Sequence, residues 1–170
     1  MAIRTIHTFP DPVLRQKAKK VTRFDDELKQ LAADMGETMY EAPGIGLAAN
    51  QIGVLLQIVV VDVSMPGDRK KFISLINPVI SEGEGSVTDD EGCLSVIDYT
   101  SSVKRFKKIK VSAQDLDGKP MEFIAEDRFA RVIQHEVDHL HGKLFIDRIS
   151  ALKRSLYKKR LKKMLQAEQE

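Results

Sequence analysis

Apolar residues recur at helical spacing between Asp25 and Tyr40. Steps of three and four residues place one set of side chains on a single face, which is typical of an amphipathic helix packed on a core. The residues of this face are Leu28, Leu31, Met35 and Met39. Asp25 is a suitable N-cap, because its carboxylate can accept a hydrogen bond from a free N–H of the first turn. Pro43 and Gly44 are expected to end the helix.

A second helix is predicted from a capping Asp127 to about His141, with Gly142 at the position after the last turn that favours glycine. Its apolar positions are Phe129, Val132, Ile133 and Leu140. The tail from Ser150 also favours a helix, since its apolar residues fall near helical spacing. These residues are Leu152, Leu156, Leu161, Met164 and Leu165.

The segments between the first two helices favour strands, because they are rich in β-branched residues or alternate between apolar and polar positions. The predicted strands are Gln57–Val63, Phe72–Ile80, Lys108–Gln114 and Met121–Ile124. Gly83 and Gly85 indicate a turn, and Asp117-Gly118 indicates a hairpin.

The order helix, strands, helix, helix predicts an α+β fold. We expect a compact single domain over 1–170, with antiparallel or mixed sheets around a central helix and a C-terminal helix over 151–170. A chain of 170 residues can bury a sufficient core without disulfides, and its one cysteine, Cys93, suits a reducing compartment. No stretch has the pattern of a signal peptide or the length of a membrane span, so the expected location is cytoplasmic.

Charge is uneven along the chain. Residues 151–170 hold seven basic and two acidic side chains, a net of +5, so the rest carries −3 of the total of +2. A solvated helix face explains most tails of this kind. The alternative is electrostatic docking to ribosomal RNA, since clustered cations attract phosphate backbones. No membrane or DNA partner is expected.

The predicted second helix contains His135-Glu136-Val137-Asp138-His139. Two histidines four apart share a helix face and can bind one metal ion, and the glutamate beside them can act as a proton acceptor. A catalytic site of this kind needs a third protein ligand and one open position for water.

The residues alone leave the third ligand open. A thermolysin-like peptidase would need a downstream glutamate, but Tyr157–Leu165 contains no acid, and Phe145 stands where a metzincin has its third histidine. His141 is expected to point off the ligand face, while His7 and Cys93 remain candidates. A metallopeptidase acting on ordinary peptide bonds and a metal-stabilised RNA-binding module are therefore alternative functions.

Three segments together resemble the signature motifs of the peptide deformylase family, in the family's order and spacing. They are Gly44–Gln51 (GIGLAANQ), Glu91–Ser95 (EGCLS) and Gln134–His139 (QHEVDH). The resemblance covers essentially the whole chain. It implies an α+β domain with the metal-binding helix at its centre, flanked by antiparallel strands.

The resemblance also implies site roles. Cys93, His135 and His139 would bind one divalent metal, expected to be Fe(II), with zinc, nickel or cobalt as alternatives. The reaction would remove the formyl group from the N-terminal N-formylmethionine of newly made polypeptides. Metal-bound hydroxide would attack, with Glu136 as general base and then acid. The Gln51 amide and the Leu94 main-chain N–H would stabilise the oxyanion.

Substrate binding is expected at Gly44, Ile45, Gly46, Gly92 and Val132. The glycines allow an extended peptide to approach the backbone, and Ile45 and Val132 would line an apolar pocket for methionine. In many bacterial members a proline and an arginine stand at the positions of Ile97 and Thr100. This departure concerns peptide anchoring and changes no metal ligand or base. Arg105 matches an arginine that the family carries slightly later.

Overall fold

The computed structural model describes residues 2–169, so the terminal residues of the predicted domain, Met1 and Glu170, lie outside the description. Within the described residues, one helix is followed by seven strands and then by two further helices. The helices are α1 (Asp26–Glu41), α2 (Asp127–Leu140) and α3 (Ala151–Gln169). The strands are β1 (Gly46–Ala48), β2 (Ile58–Asp62), β3 (Phe72–Glu84), β4 (Val87–Cys93), β5 (Val96–Arg105), β6 (Lys108–Gln114) and β7 (Pro120–Glu126). Short 3-10 turns at Pro12–Arg15, Ala49–Ile52 and Phe145–Arg148 connect them.

The larger sheet is antiparallel throughout, in the order β1-β2-β3-β6-β7, and its strand β2 is buried on both faces. The sequence of β2 is continuously apolar because successive side chains point to opposite faces of the sheet and both faces are buried at this strand. Ile58 and Val60 pack with α1, whereas Val59 and Val61 pack with α2. The α+β prediction is confirmed, with α2 as the central helix.

Two antiparallel strands, β4 and β5, form a second sheet that the apolar pattern did not predict. Strand β4 has the sequence VTDDEGC and buries only Glu91 among its seven residues. Because β4 has so little apolar surface, it is held in place by its hydrogen bonds to β5 and by the core on which the hairpin packs. This hairpin carries Cys93 to the Gln51 side chain and to His139 of α2.

Two boundaries differ from the prediction. Strand β3 continues past Pro78 to Glu84, because register shifts on either side of Val79–Ser81 accommodate the proline, and the turn falls at Gly85, whose φ is +65°. Asp127 does not cap α2, so that prediction was wrong. Strand β7 ends at Glu126 and the helix begins at the next residue, with Glu126 at the N-cap and no side-chain cap.

Helix α3 packs on the body through Tyr157 and Leu161, which join a core cluster with Val96, Val103 and Phe145. Leu152 and Leu156, predicted at apolar spacing, are instead 70% and 58% exposed. Tyr157 supplies the buried surface that these leucines were expected to provide. Within the described residues, the helices lack the combination of length and apolar character that crossing a membrane requires.

Candidate active site

Helix α2 presents His135 and His139 side by side, with their ring centroids 5.1 Å apart. The thiol of Cys93, at the end of β4, lies 3.4 Å from His139 Nε2. One donor atom from each of the three residues lies within 4.8 Å of the others. The structure thus brings together the three residues that the family resemblance implied as ligands.

This donor set fits a divalent metal ion. Bonds of about 2.3 Å to sulfur and about 2.0 Å to nitrogen at a tetrahedral centre place the two atoms about 3.6 Å apart, close to the separation of Cys93 and His139. Two buried polar atoms, Glu136 Oε2 and His139 Nδ1, have no hydrogen-bond partner among the described residues. Since buried polar atoms are normally partnered, an unpartnered carboxylate oxygen beside the donors indicates a place for a ligand.

Glu91 orients one of the two imidazoles. Its Oε1 lies 3.0 Å from His135 Nδ1. A carboxylate only accepts, so Nδ1 carries the proton and Nε2 is free to face Cys93 and His139. Glu91 belongs to the EGCLS segment, but its local sequence did not indicate this role.

A buried ionic network extends from Glu91 to the far side of α2. Arg105 donates two hydrogen bonds of 2.9 Å to Glu91 and one of 2.7 Å to Asp138. Arg148 pairs with Asp138, and Arg131 donates to Glu91 at 2.7 Å. Burial opposes ionisation of Glu91, yet the hydrogen bonds and charges of Arg105 and His135 lower its pKa to about 2. Glu91 therefore stays a carboxylate, the state that orients His135.

The pKa values of the two imidazoles are shifted in opposite directions. Burial opposes the charged form of His135, but hydrogen bonds to Cys93 and Glu91 outweigh it and raise its pKa well above the ordinary value. Burial and the charge of His135 lower the pKa of His139 well below it. Both rings must be neutral to bind a metal, so metal binding is expected to release a proton.

Glu136 follows His135 on α2 and is 4% exposed. Burial raises its pKa to about 7, although the charges of His135 and Arg105 act in the opposite direction. Its Oε1 lies 3.8 Å from His135 Nε2. A carboxyl with a pKa near neutrality beside a candidate metal position has the properties of a general base that can return its proton as an acid.

The side chain of Gln51, in the 3-10 turn after β1, lies beside the three candidate metal ligands. The Ala48 main-chain N–H donates to its Oε1 at 2.9 Å, which turns the amide nitrogen towards the site. That nitrogen donates to Ser95 Oγ at 3.0 Å and lies 3.7 Å from Cys93 Sγ. Gln51 is 1% exposed, so this orientation is held by the core. Ser95 is the last residue of the EGCLS motif, and its contact with the Gln51 amide was not predicted from the sequence.

The donors open into a cavity of about 490 Å³ between β1, the β4–β5 hairpin and α2. Its lining includes the five residues expected to bind substrate, Gly44, Ile45, Gly46, Gly92 and Val132, together with Leu94. A side-chain carbon built on Gly46 would lie 2.9 Å from Glu136 and from Val132. Glycine at position 46 therefore allows β1 to pack closely against Glu136 and Val132 of α2.

The remaining histidines do not join the donors. His7 Nδ1 lies 2.7 Å from Asp11, and His141 follows the last turn of α2 with its side chain exposed. Thr100 lines the cavity, while Ile97 is 41% exposed and its carbonyl accepts from the Tyr157 hydroxyl at 3.2 Å. Of the two departures from the common bacterial pattern, only Thr100 therefore lies at the wall of the cavity.

The fold and the site define a metal-dependent hydrolase whose two helical histidines are joined by a cysteine. A family model described as polypeptide deformylase matches residues 3–155. The peptide deformylase of Desulfotalea psychrophila is 54% identical over 164 residues, covering 96% of this chain and 97% of the relative. The chain belongs to the polypeptide deformylase family, whose members remove the formyl group from N-formylmethionyl peptides.

Solved structures agree with this assignment. A crystal structure of a peptide deformylase from Legionella pneumophila has a TM-score of 0.90 and 45% identity, covering 98% of each chain. A Met-Ala-Ser-bound peptide deformylase from Acinetobacter baumannii has a TM-score of 0.82 and 32% identity, covering 87% of this chain and 99% of that one. The family resemblance, the fold and the hydrolase class predicted from the sequence are confirmed.

Proposed function

We propose that the chain deformylates N-formylmethionyl peptides at a centre in which Cys93, His135 and His139 hold one divalent metal. The observation that carries this proposal is the convergence of the three donors beside the buried Glu136. When bound, such an ion supplies a Lewis acid that polarises the formyl carbonyl and acidifies water. One thiolate and two imidazoles suit several first-row metals, and the family resemblance favours Fe(II) over zinc, nickel or cobalt.

In the proposed reaction Glu136 moves the protons. Its unpartnered Oε2 takes a proton from the attacking water and delivers it to the departing amine nitrogen, so that water and the formamide yield formate and a free amino terminus. A pKa of about 7 allows both transfers near neutral pH. Gln51 and the Leu94 main-chain N–H would donate to the oxygen that becomes negatively charged. The fixed orientation of the Gln51 amide supports its part in this role.

The substrate is proposed to lie in the cavity as an added strand. Strand β1 is at the edge of the five-stranded sheet, with β2 as its neighbour, so its other edge can pair with an extended peptide. Gly44, Gly46 and Gly92 add no side chains to the cavity lining. Ile45 and Val132 provide apolar surface for methionine. The related Acinetobacter baumannii protein has Met-Ala-Ser bound, which supports a peptide that begins with methionine as the ligand.

The test of this function is an assay of the anaerobically purified chain on formyl-Met-Ala, acetyl-Met-Ala and unblocked Met-Ala, with metal analysis of the same sample. We expect formate release from the formyl peptide only, in proportion to metal content, with loss on chelation and recovery on adding Fe(II). Cleavage of the Met-Ala bond, or full activity in metal-free protein, would instead support the alternatives of a metallopeptidase or of a metal-independent mechanism.

We also propose that α3 contacts the ribosome, which would place the protein in the cytoplasm beside newly made polypeptides. The basic residues of α3 other than the half-buried Arg154 are exposed, and the helix is anchored through Tyr157 and Leu161. Cations on a fixed helix face can bind phosphates without disturbing the core.

Replacing Lys158, Lys159, Lys162 and Lys163 with glutamine should weaken co-sedimentation with ribosomes at low salt by roughly tenfold, because phosphate contacts dominate such binding. These four side chains are exposed, so the anchoring residues remain. The control carries the same number of exposed lysines changed to glutamine elsewhere, at Lys17, Lys19, Lys70 and Lys71. Equal binding by both variants and the parent chain would exclude ribosome contact through α3.

A further inference from the structure

A second cavity, which we term the rear cavity, adjoins a different face of α2. Its volume is about 690 Å³, against about 490 Å³ for the active-site cavity. Helix α2 contributes Gln134, Val137, Asp138 and His141 to its lining, and steps of three and four residues place these side chains on one helix face. His135 lies on another face and lines the active-site cavity. The helix therefore separates the two cavities.

An apolar wall of the rear cavity is exposed to solvent. Val79 of β3 and Phe106, which follows β5, line it and are 57% and 49% exposed. The buried Gln134 holds the main chain of Phe106: its Oε1 accepts from the Phe106 N–H at 3.0 Å, and its Nε2 donates to the Phe106 carbonyl at 2.9 Å. The aromatic ring lies over Gly83, where a side-chain carbon would come within 2.6 Å of it. The exposed ring therefore has a fixed position, and a ligand that covers it need not order it.

The charged groups of the rear cavity are mostly cations. Asp138 accepts hydrogen bonds from both arginines of the lining. The two lysines are exposed, and within the described residues neither ammonium nitrogen lies within 4 Å of a carboxylate oxygen. Asp90, on the strand beside Lys104, bonds to Ser102 and lines the active-site cavity instead. The ionisable residues of the rear lining are Lys20, Lys104, Arg105, Asp138, His141 and Arg148.

An apolar wall beside two uncompensated cations is complementary to a molecule that has an apolar body and an anionic group. A carboxylate accepts strong hydrogen bonds from ammonium groups. An aromatic or aliphatic body would remove the exposed surface of Phe106 and Val79 from water, which favours binding in proportion to the area covered. An inorganic anion would leave this wall uncovered, and a cation would be repelled. The volume lies in the range of about 300–1,000 Å³ that is usual for small-molecule sites.

We propose that the rear cavity binds an amphipathic organic anion, an aromatic or aliphatic carboxylate of low molecular mass. Lys20 and Lys104 bind its carboxylate, and Phe106 and Val79 contact its apolar body. This site is separate from deformylation and does not depend on it. Because the two cavities lie on different faces of α2, the anion and a peptide in the active site should bind to the same chain at the same time.

The test uses naphthalene-2-carboxylate as the probe and follows its fluorescence during titration with the metal-loaded chain. The chain contains no tryptophan whose emission would overlap. Met-Ala-Ser is present in excess to fill the active site. We expect a Kd of about 1 mM or tighter, from the binding energy per atom usual for small ligands. The neutral naphthalene-2-carboxamide should bind about fivefold more weakly, the size expected for exposed ion pairs.

Lys20→Gln combined with Lys104→Gln should weaken binding of the carboxylate about fivefold and leave binding of the carboxamide unchanged. The matched control is Lys19→Gln combined with Lys107→Gln, which removes the same charge from exposed residues outside the lining. It should leave the Kd of both compounds unchanged. The lysines of both pairs are exposed, so all four substitutions should leave the fold intact.

Phe106→Ala tests the apolar wall separately. Losing the contact with the ring should weaken the carboxylate and the carboxamide alike, by about tenfold for the area that one ring face covers. Thermal unfolding of the variant without ligand checks that the chain is folded. Val79→Thr, a change of similar shape at a more exposed position, should weaken both compounds in the same direction by a smaller factor.

Equal affinity of the parent chain for the carboxylate and the carboxamide would overturn the proposal, as would equal weakening by the two lysine pairs. Displacement of the probe by Met-Ala-Ser would place it in the active site and would also overturn the proposal. A metal-loaded chain that bound the probe as expected but released no formate from formyl-Met-Ala would reject the proposed function and leave the rear site standing.

Discussion

Glu136→Gln should keep the metal and lose turnover by about 10²- to 10⁴-fold, the usual contribution of a positioned acid–base group. Glutamine matches glutamate in size and fits the same buried position. Its amide cannot take a proton from water or return one to the amine, so the proposed role of Glu136 is removed without emptying space in the core. Metal content per chain and kcat on formyl-Met-Ala, measured on the same preparation, separate the two properties.

The matched control is Glu126→Gln, the same change at an exposed residue immediately before α2. It should leave both metal content and kcat within about twofold of the parent, because its ion pair with Lys108, at 3.8 Å, is exposed and such pairs contribute little. Substantial turnover by Glu136→Gln would contradict the assignment of the proton transfers to Glu136. Loss of metal together with activity would show instead that Glu136 is needed to build the centre.

Arg105→Met should destabilise the protein by about 3–5 kcal/mol, the range measured when one partner of a buried ion pair is removed. Arg105 is 4% exposed and lies between the carboxylates of Glu91 and Asp138. Methionine fills much of the volume but leaves the two carboxylates without the guanidinium between them. In the variant, Glu91 would still pair with Arg131 and Asp138 would still pair with Arg148. The expected loss of stability therefore comes from removing Arg105 alone, with the rest of the network in place.

The measurement is urea unfolding of metal-loaded parent and variant, with metal content determined beforehand, since bound metal adds to apparent stability. Lys104→Met is the control: it removes a cation from the neighbouring, exposed position of β5 and should change the free energy of unfolding by less than about 0.5 kcal/mol. A loss below about 1 kcal/mol for Arg105→Met would mean that the network contributes little beyond its own desolvation cost.

Arg105 is also expected to act on the metal centre through Glu91. A disturbed carboxylate–histidine pair typically weakens metal binding by about 10- to 100-fold. The same Arg105→Met preparation should therefore release its metal to a competing chelator more readily than Lys104→Met does. Unchanged metal affinity together with reduced stability would restrict Arg105 to a structural role.

The local pattern of the chain predicted the helices, the apolar strands and the pair of helical histidines. A helix places residues four apart on one face whatever surrounds it, so His135 and His139 could be matched, with Glu136 beside them, before any tertiary contact was known. Strand β2 was recognised because burial on both faces requires a continuous apolar run. The cap at Asp127 was wrong, since the preceding strand runs directly into the helix.

The β4–β5 hairpin shows where local pattern was insufficient. The sequence of β4 is polar and the pairing of the two strands contains a bulge, so the alternation of apolar and polar residues did not predict the hairpin. Tertiary packing decided that Cys93 meets a histidine 46 residues away and that Glu91 meets another 44 residues away. The resemblance to a family supplied Cys93 and matched Arg105 to a family arginine, but it gave no role to Glu91.

The sequence by itself therefore determined which residues of α2 could act on a metal, because backbone geometry within one helix is set by hydrogen bonds between near neighbours. Only the tertiary structure decided that the Cys93 thiol lies beside His139, that Glu91 orients His135, and which arginines pair with Glu91. These contacts join distant segments through the pairing of a hairpin and its packing on a helix. Their energies depend on burial and distance, which exist only after the chain has folded.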